Sequence, residues 1–204
     1  DGVNDAPALK KAEIGCAMGI TGTDVSKEAA DMILTDDNFS TIVSAVKEGR
    51  GIYDNIRKCV KYLLSSNIGE VLTIFVASLL GVIGLLNGED TTPLAAMHLL
   101  WINLITDSLP AFGIGMEEAE DEIMLEKPRP KHEGFFANGY ALKIVVEGII
   151  IGAVTLIAYL IGQNAPGFDH TTQHMIGQTM AFLTLSTTQL FHAYNVKSNH
   201  SVFS

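Results

Sequence analysis

Leu99–Pro110 reads LLWINLITDSLP. Its apolar residues suit a segment that crosses a bilayer, yet Asn103, Thr106 and Asp107 stand in its middle. In a helix these residues fall at i, i+3 and i+4, so their oxygens share one side. A carboxylate at that depth costs about 2.5–3.5 kcal/mol on an insertion scale and is seldom there for packing. Pro110 has no N–H, so it leaves the carbonyl of Thr106 without its helical donor. A broken helix is tolerated in a membrane where it lines a polar cavity, and that carbonyl is expected to be open to a cation. An earlier apolar run, Tyr62–Leu86, carries Asn67 and Glu70 at i and i+3. Two such helices face to face would form a cage of hard oxygen donors, which suits Ca²⁺. The plainer alternative is a pair of polar patches that hold helices together by hydrogen bonds.

Working outward, the chain divides by composition. It has 204 residues, 48% of them hydrophobic, and a mean hydropathy of +0.28. Residues 1–61 are polar and mixed, whereas 62–195 are mostly apolar runs joined by short loops. The spacing predicts four spans, at about 62–86, 94–116, 140–162 and 174–194. Tyr62–Leu86 has 25 residues, about 37 Å of helix. Lys47, Arg50, Arg57, Lys58 and Lys61 precede this run and put its start in the cytoplasm. Asn87–Pro93 and Gln163–Gln173 lack Lys and Arg and are expected outside. Glu117–Gly139 carries Lys127, Arg129 and Lys131 and is expected inside, with its acidic cluster from Glu117 to Glu122 solvated. Gly148 and Gly152 form GxxxG, expected to pack on the first span. Lys143 and Glu147, at i and i+4 near the cytoplasmic end of the third span, are expected to pair or to snorkel, and His170 and His174 to form a surface pair. A net charge of −10 argues against nucleic acid as a partner. Cys16 and Cys59 are too far apart for a paired-ligand site.

The chain opens with DGVNDAPALKKAEIG. Asp1, Asn4 and Asp5 offer oxygen side chains close together, and Gly2 permits a tight turn. Such a loop after a strand is a natural Mg²⁺ site beside a phosphate. Ile14–Met18 and Met32–Leu34 read as short strands and Asp24–Ala30 as a helix, which points to a parallel α/β layer. From Asn38 a helix is expected, with a bend at Gly49 and Gly51.

DGVNDAPALKKAEIGCAMG, GTDVSKEAADMILTDDNFSTIVSAVKEGR, YLLSSNIGEV and LLWINLITDSLPA occur here in one order. Together they resemble the C-terminal part of a P-type cation-transporting ATPase of the calcium-pump branch. The resemblance implies an α-helical transmembrane bundle preceded by the C-terminal piece of an α/β phosphorylation domain with a haloacid-dehalogenase-like fold. It implies boundaries at 1–38 for that piece, 39–61 for a cytoplasmic stalk helix, 62–195 for the membrane domain and 196–204 for a cytoplasmic tail. Asp1 would hold Mg²⁺ at an aspartyl-phosphate site, with Asn4 and Asp5 ordering it and Asp5 a further Mg²⁺ ligand. Asn67, Glu70, Asn103, Thr106, Asp107 and Gln189 would bind the transported ion. Calcium pumps commonly have glycine where Ser108 stands, and those using two ions have glutamate where Gln189 stands.

Those side chains supply about 6–8 oxygens, enough for one Ca²⁺ shell. Between transports the buried carboxylates would carry protons, because burial disfavours the charged form, so proton counter-transport is expected. The resemblance further implies ATP bound by missing upstream domains, two further membrane helices of the same chain, and a multi-pass protein in a bacterial plasma membrane with its phosphorylation domain in the cytoplasm. The chain reads as a fragment that lacks the phosphorylated aspartate. Its rivals are a pump for Mn²⁺, Na⁺ or K⁺, and an inert membrane fragment without catalytic activity. Asn103 favours calcium over the sodium–potassium branch, which usually has an acid there. The missing thiolate pair disfavours copper and zinc.

Overall fold

The structure, a computed structural model, describes residues 2–86, 91–130 and 132–198. Asp1, the expected Mg²⁺ ligand, lies outside the described residues, as do 87–90 of the expected outer turn and 199–204 of the expected tail. The chain forms two compact units and is mostly helical.

The first unit comprises residues up to Ile52 together with Ala119–Lys127. A 3-10 turn, Val3–Asp5, leads into α1, Ala6–Lys11, with Pro7 in its first turn, where a missing N–H leaves no bond unmade. Strands β1, Cys16–Met18, and β2, Met32–Leu34, pair in parallel in the register Cys16–Met32, Ala17–Ile33 and Met18–Leu34. Helix α2, Asp24–Ala29, joins them, and the Thr23 hydroxyl caps it by accepting the Ser26 amide at 3.4 Å. The expected parallel layer is present, but β1 begins later than expected, because Ile14 is 65% exposed and contributes nothing to the core.

Asp37 closes this unit. It adopts φ 49°, which is uncommon outside glycine. Its carboxylate accepts the amides of Ile20 and Thr21 at 2.8 and 2.7 Å and the Thr21 hydroxyl at 2.7 Å. These donors hold the carboxyl down at about 2, against an ordinary 3.8.

Helix α3 runs from Ser40 to Val82, about 65 Å at 1.5 Å per residue. It passes through Gly49 and Gly51 without interruption, so the expected stalk and first span are one element. Each peptide there keeps its i to i−4 bond, and two glycines weaken a long helix without stopping it. Arg50 on this helix donates to the carbonyls of Ile123 and Glu126 at 2.9 and 3.0 Å.

The second unit comprises Tyr53–Glu118 and the residues from Pro128 onward. After α3 come α4, Ala96–Trp101, a π-helical turn, Ile102–Asp107, and α5, Ser108–Gly115. Then follow α6, Tyr140–Gln163, and α7, His170–Lys197. Among the described residues two helices, α3 and α6, are long and apolar enough to cross a membrane.

Close approach at glycines sets the packing. A methyl group on Gly148 would stand 2.6 Å from the Ile68 side chain and 2.9 Å from the Ser65 carbonyl. Gly152 faces the Gly69 carbonyl, and the Thr73 hydroxyl, bonded to Gly69 O at 2.7 Å, also reaches Gly152 O at 3.3 Å. The expected contact of GxxxG with the first span is therefore present. Gly162 and Gly177 do the same for α6 and α7, since a methyl on Gly162 would stand 2.6 Å from the Gly177 Cα. Around these contacts Ile102, Ile151, Tyr159 and Leu185 form the apolar core.

Three smaller expectations are corrected. Glu147 pairs with Lys61 of α3 at 2.7 Å rather than with Lys143, because the α3–α6 contact brings an opposite charge to it. His174 is half-buried where a surface position is expected: its Nδ1 meets the Tyr159 hydroxyl at 3.3 Å and its ring packs edge-on against Tyr159. Glu117 is not simply solvated, since Lys197 pairs with it at 3.1 Å.

Gly162→Val should lower the thermal unfolding midpoint by the equivalent of about 1–3 kcal/mol, the usual range for overpacking. Gly113→Ala, with nothing within 4 Å of the added methyl, should leave the midpoint nearly unchanged. Asp37→Ala should speed deuterium uptake at Ile20 and Thr21. A carboxyl depressed in the folded state stabilises it above the ordinary value of 3.8 and loses that effect as pH falls towards about 2. Wild-type protection at those amides should therefore persist from pH 7 to about 4 and fade below it, while Asp37→Asn shows no such transition.

Candidate cation site

The polar residues of α3, the π-helical turn and α7 meet within the second unit. Glu70, on α3, is 5% exposed and Gln189, on α7, is fully buried. Gln189 Nε2 donates to Glu70 Oε1 at 3.0 Å. Asn103 Nδ2 reaches Glu70 Oε2 at 3.5 Å and bonds more closely to its own helix, to Leu99 O at 2.9 Å. One carboxylate thus draws on two other elements.

Asp107 ends the π-helical turn and is 2% exposed. Neither of its carboxylate oxygens has a hydrogen-bond partner among the described residues, and neither has Gln189 Oε1, Ser66 Oγ or Ser186 Oγ. Buried acceptors without donors are rare in native proteins, and each asks for an explanation such as a bound ion. A carboxylate is the costliest group to leave so. Oxygens from α3, the π turn and α7 are the donor set a hard cation requires.

The π turn follows from its sequence. Pro110 removes the donor that would close on Thr106 O, and the backbone widens by one residue per turn just before it. The Ser108 hydroxyl donates to Asn103 O at 2.9 Å, closing the wider ring through a side chain. Glycine at position 108 could not make this bond.

The carbonyl of Thr106 is not open in this arrangement. The Thr106 carbonyl, freed by Pro110, is taken by the Tyr62 hydroxyl at 2.8 Å. Tyr62 is fully buried and satisfies its hydroxyl on this carbonyl. Of the remaining expected residues, Thr106 is 6% exposed, whereas Asn103 is exposed. Asn67 is also exposed and donates to Leu63 O of its own helix at 2.8 Å.

Sequence reading passed over Tyr62, Ser65, Ser66 and His192. His192 Nε2 lies 2.6 Å from Ser65 Oγ and 3.8 Å from Glu147 Oε2, and its ring stacks on Tyr62 at 5.9 Å. The signal was a hydroxyl-bearing patch, Tyr62, Ser65 and Ser66, at helical spacing inside an apolar run.

At the opening loop, Gly2 N donates to Asp5 Oδ2 at 2.8 Å, and Gly2 O accepts the buried Ser26 hydroxyl at 2.7 Å. Asn4 and Asp5 are exposed. Asp5 thus spends one oxygen on the loop itself. Among the described residues no three His, Cys, Asp or Glu side chains group as a metal site.

Tyr62→Phe should leave the Thr106 carbonyl buried and unpaired. We expect a loss of about 1–3 kcal/mol in unfolding free energy, with faster amide exchange across Ile102–Asp107.

Residues 91–204 match the family described as cation transporting ATPase, C-terminus. The chain is 48% identical over 204 residues to a calcium-transporting ATPase of Bacillus subtilis, covering 100% of this chain and 22% of that protein. It is 46% identical over 199 residues to calcium-transporting ATPase 1 of Lactococcus lactis, covering 98% of this chain and 21% of the relative. An endoplasmic reticulum-type calcium-transporting ATPase 3 of Arabidopsis thaliana is 49% identical over 160 residues, 78% of this chain and 15% of its own length. The chain spans about a fifth of the length of the first two relatives. With that identity running across the N-terminal loop and the polar helices alike, the chain belongs to the P-type cation-transporting ATPases, in their calcium-pump branch.

Proposed function

We propose that the protein moves Ca²⁺ across a membrane, driven by ATP through an aspartyl-phosphate cycle. This chain would supply part of the cation site and the loop beside the Mg²⁺ and phosphate. The observation that carries the reading is the buried, unpartnered carboxylate of Asp107 in a broken helix, in the unit where Gln189 of α7 hydrogen-bonds Glu70 of α3. The relatives' names, all calcium-transporting ATPases, support the choice of ion.

In this reading Glu70, Asp107 and Gln189 form the heart of the site. Asn103 and Asn67 would join it on rotamer change, and the Thr106 carbonyl once the Tyr62 hydroxyl turns away from it. Two carboxylates and a neutral Gln189 favour one Ca²⁺ per cycle, with protons returning on the carboxylates. Asn4 and Asp5, with Asp1, would order the phosphorylation site. ATP chemistry belongs to segments beyond those described, and Mg²⁺ would neutralise phosphate charge when bound. The finer architecture is part of the same proposal: four spans, the second and fourth being the interrupted α4–α5 and the Thr-rich α7, after a haloacid-dehalogenase-like piece. The unbroken course of α3 from Ser40 to Val82 supports a mechanical link from that piece to Glu70. The membrane would be the plasma membrane of a bacterium.

The test follows phosphoenzyme formation from ATP in the full-length protein while Ca²⁺ is titrated. Micromolar Ca²⁺ should drive phosphorylation in the wild type, with one ion occluded per phosphoenzyme, and Asp107→Asn should lose the response across that range. Two occluded ions would remove the single-ion reading. Phosphorylation answering to another cation would replace the cargo, and a response to no cation would remove the pump.

A further inference from the structure

Within the second unit a cavity of about 170 Å³ opens between α3, α6 and α7. Its lining includes Arg57, Lys58, Lys61 and Lys143, with Asp54 as its one acid. Lys58 pairs with Asp54 at 2.8 Å, and Lys61 with Glu147 at 2.7 Å. Neither acid is the partner of Arg57 or Lys143. The Arg57 guanidinium lies over the Tyr140 ring, 4.2 Å from its centre, and its buried Nε has no hydrogen-bond partner among the described residues. Lys143 is exposed at the rim.

We propose that this cavity binds the phosphate group of an anionic phospholipid. Arg57 supplies a planar set of donors, already oriented by the Tyr140 face, and Lys143 a mobile ammonium. An anion is the ligand that two unmatched cations select. The surroundings choose a lipid over a free phosphate. On α6, around Lys143, Leu142, Val145, Val146 and Ile149 are 67, 42, 45 and 49% exposed, a surface for acyl chains. Tyr194, 77% exposed on α7 beside Asn195 of the cavity wall, suits the headgroup level of a bilayer. The cavity also lies where the start of α6 and the end of α7 meet α3 at Arg57–Lys61, the side that its basic residues assign to the anionic cytoplasmic leaflet. The inference rests on the membrane placement of the preceding subsection but not on the cargo.

The experiment is native mass spectrometry of the full-length protein in detergent, titrated with phosphatidylglycerol or with phosphatidylcholine. Phosphatidylglycerol should bind more tightly. Lys143→Gln should weaken it about fivefold, the effect of one cation near a lipid surface, and Lys143→Arg should restore it. Millimolar inorganic phosphate should not displace it. Equal binding of the two lipids, or no change in Lys143→Gln, overturns the proposal. Displacement by phosphate assigns the site to a free anion and overturns the lipid. Recovery of the protein from carbonate-washed membranes separates these failures from a failure of the membrane placement itself.

Discussion

Burying a carboxylate among apolar helices is the constraint on which the second unit depends. Glu70 is satisfied by a donor from α7 and a longer contact from the π-helical turn. Asp107 has no such donor. An ionised group so placed is tolerable only if a cation or a proton comes to it. The surrounding packing is the frame that holds the two carboxylates within the second unit. Glycines on α6 allow α3 to come close, and those on α6 and α7 bring α7 in with Gln189.

The π-helical turn shows how a small backbone change serves this frame. Pro110 withdraws one donor, and Ser108 and Tyr62 take up the loosened carbonyls of Asn103 and Thr106 from different directions. Such a turn draws on side-chain hydrogen bonds from Ser108 and Tyr62 in addition to its own backbone ladder. Tyr62 is also the aromatic neighbour of His192, whose Nε2 lies 3.8 Å from Glu147, the partner of Lys61.

The basic residues of α3 around Arg57 follow a different logic. Lys61 and Lys58 find acids, whereas Arg57 is held by an aromatic face. A residue that is stacked but not neutralised keeps its field, and the cavity stays positive although the chain as a whole is acidic.

Much was legible in the sequence because it depends on local chemistry. Pro110 had to disturb its helix wherever that helix lay, and Asn103, Thr106 and Asp107 had to share a side. The strands, α6 and the GxxxG contact were readable from periodicity and residue size. The partners were not. That Tyr62 would take the Thr106 carbonyl, that Glu147 would choose Lys61 over Lys143, and that Gln189 would donate to Glu70 across 119 residues depend on how helices dock. Side-chain partners are selected by three-dimensional proximity, and a sequence encodes that only through the summed packing of all its helices.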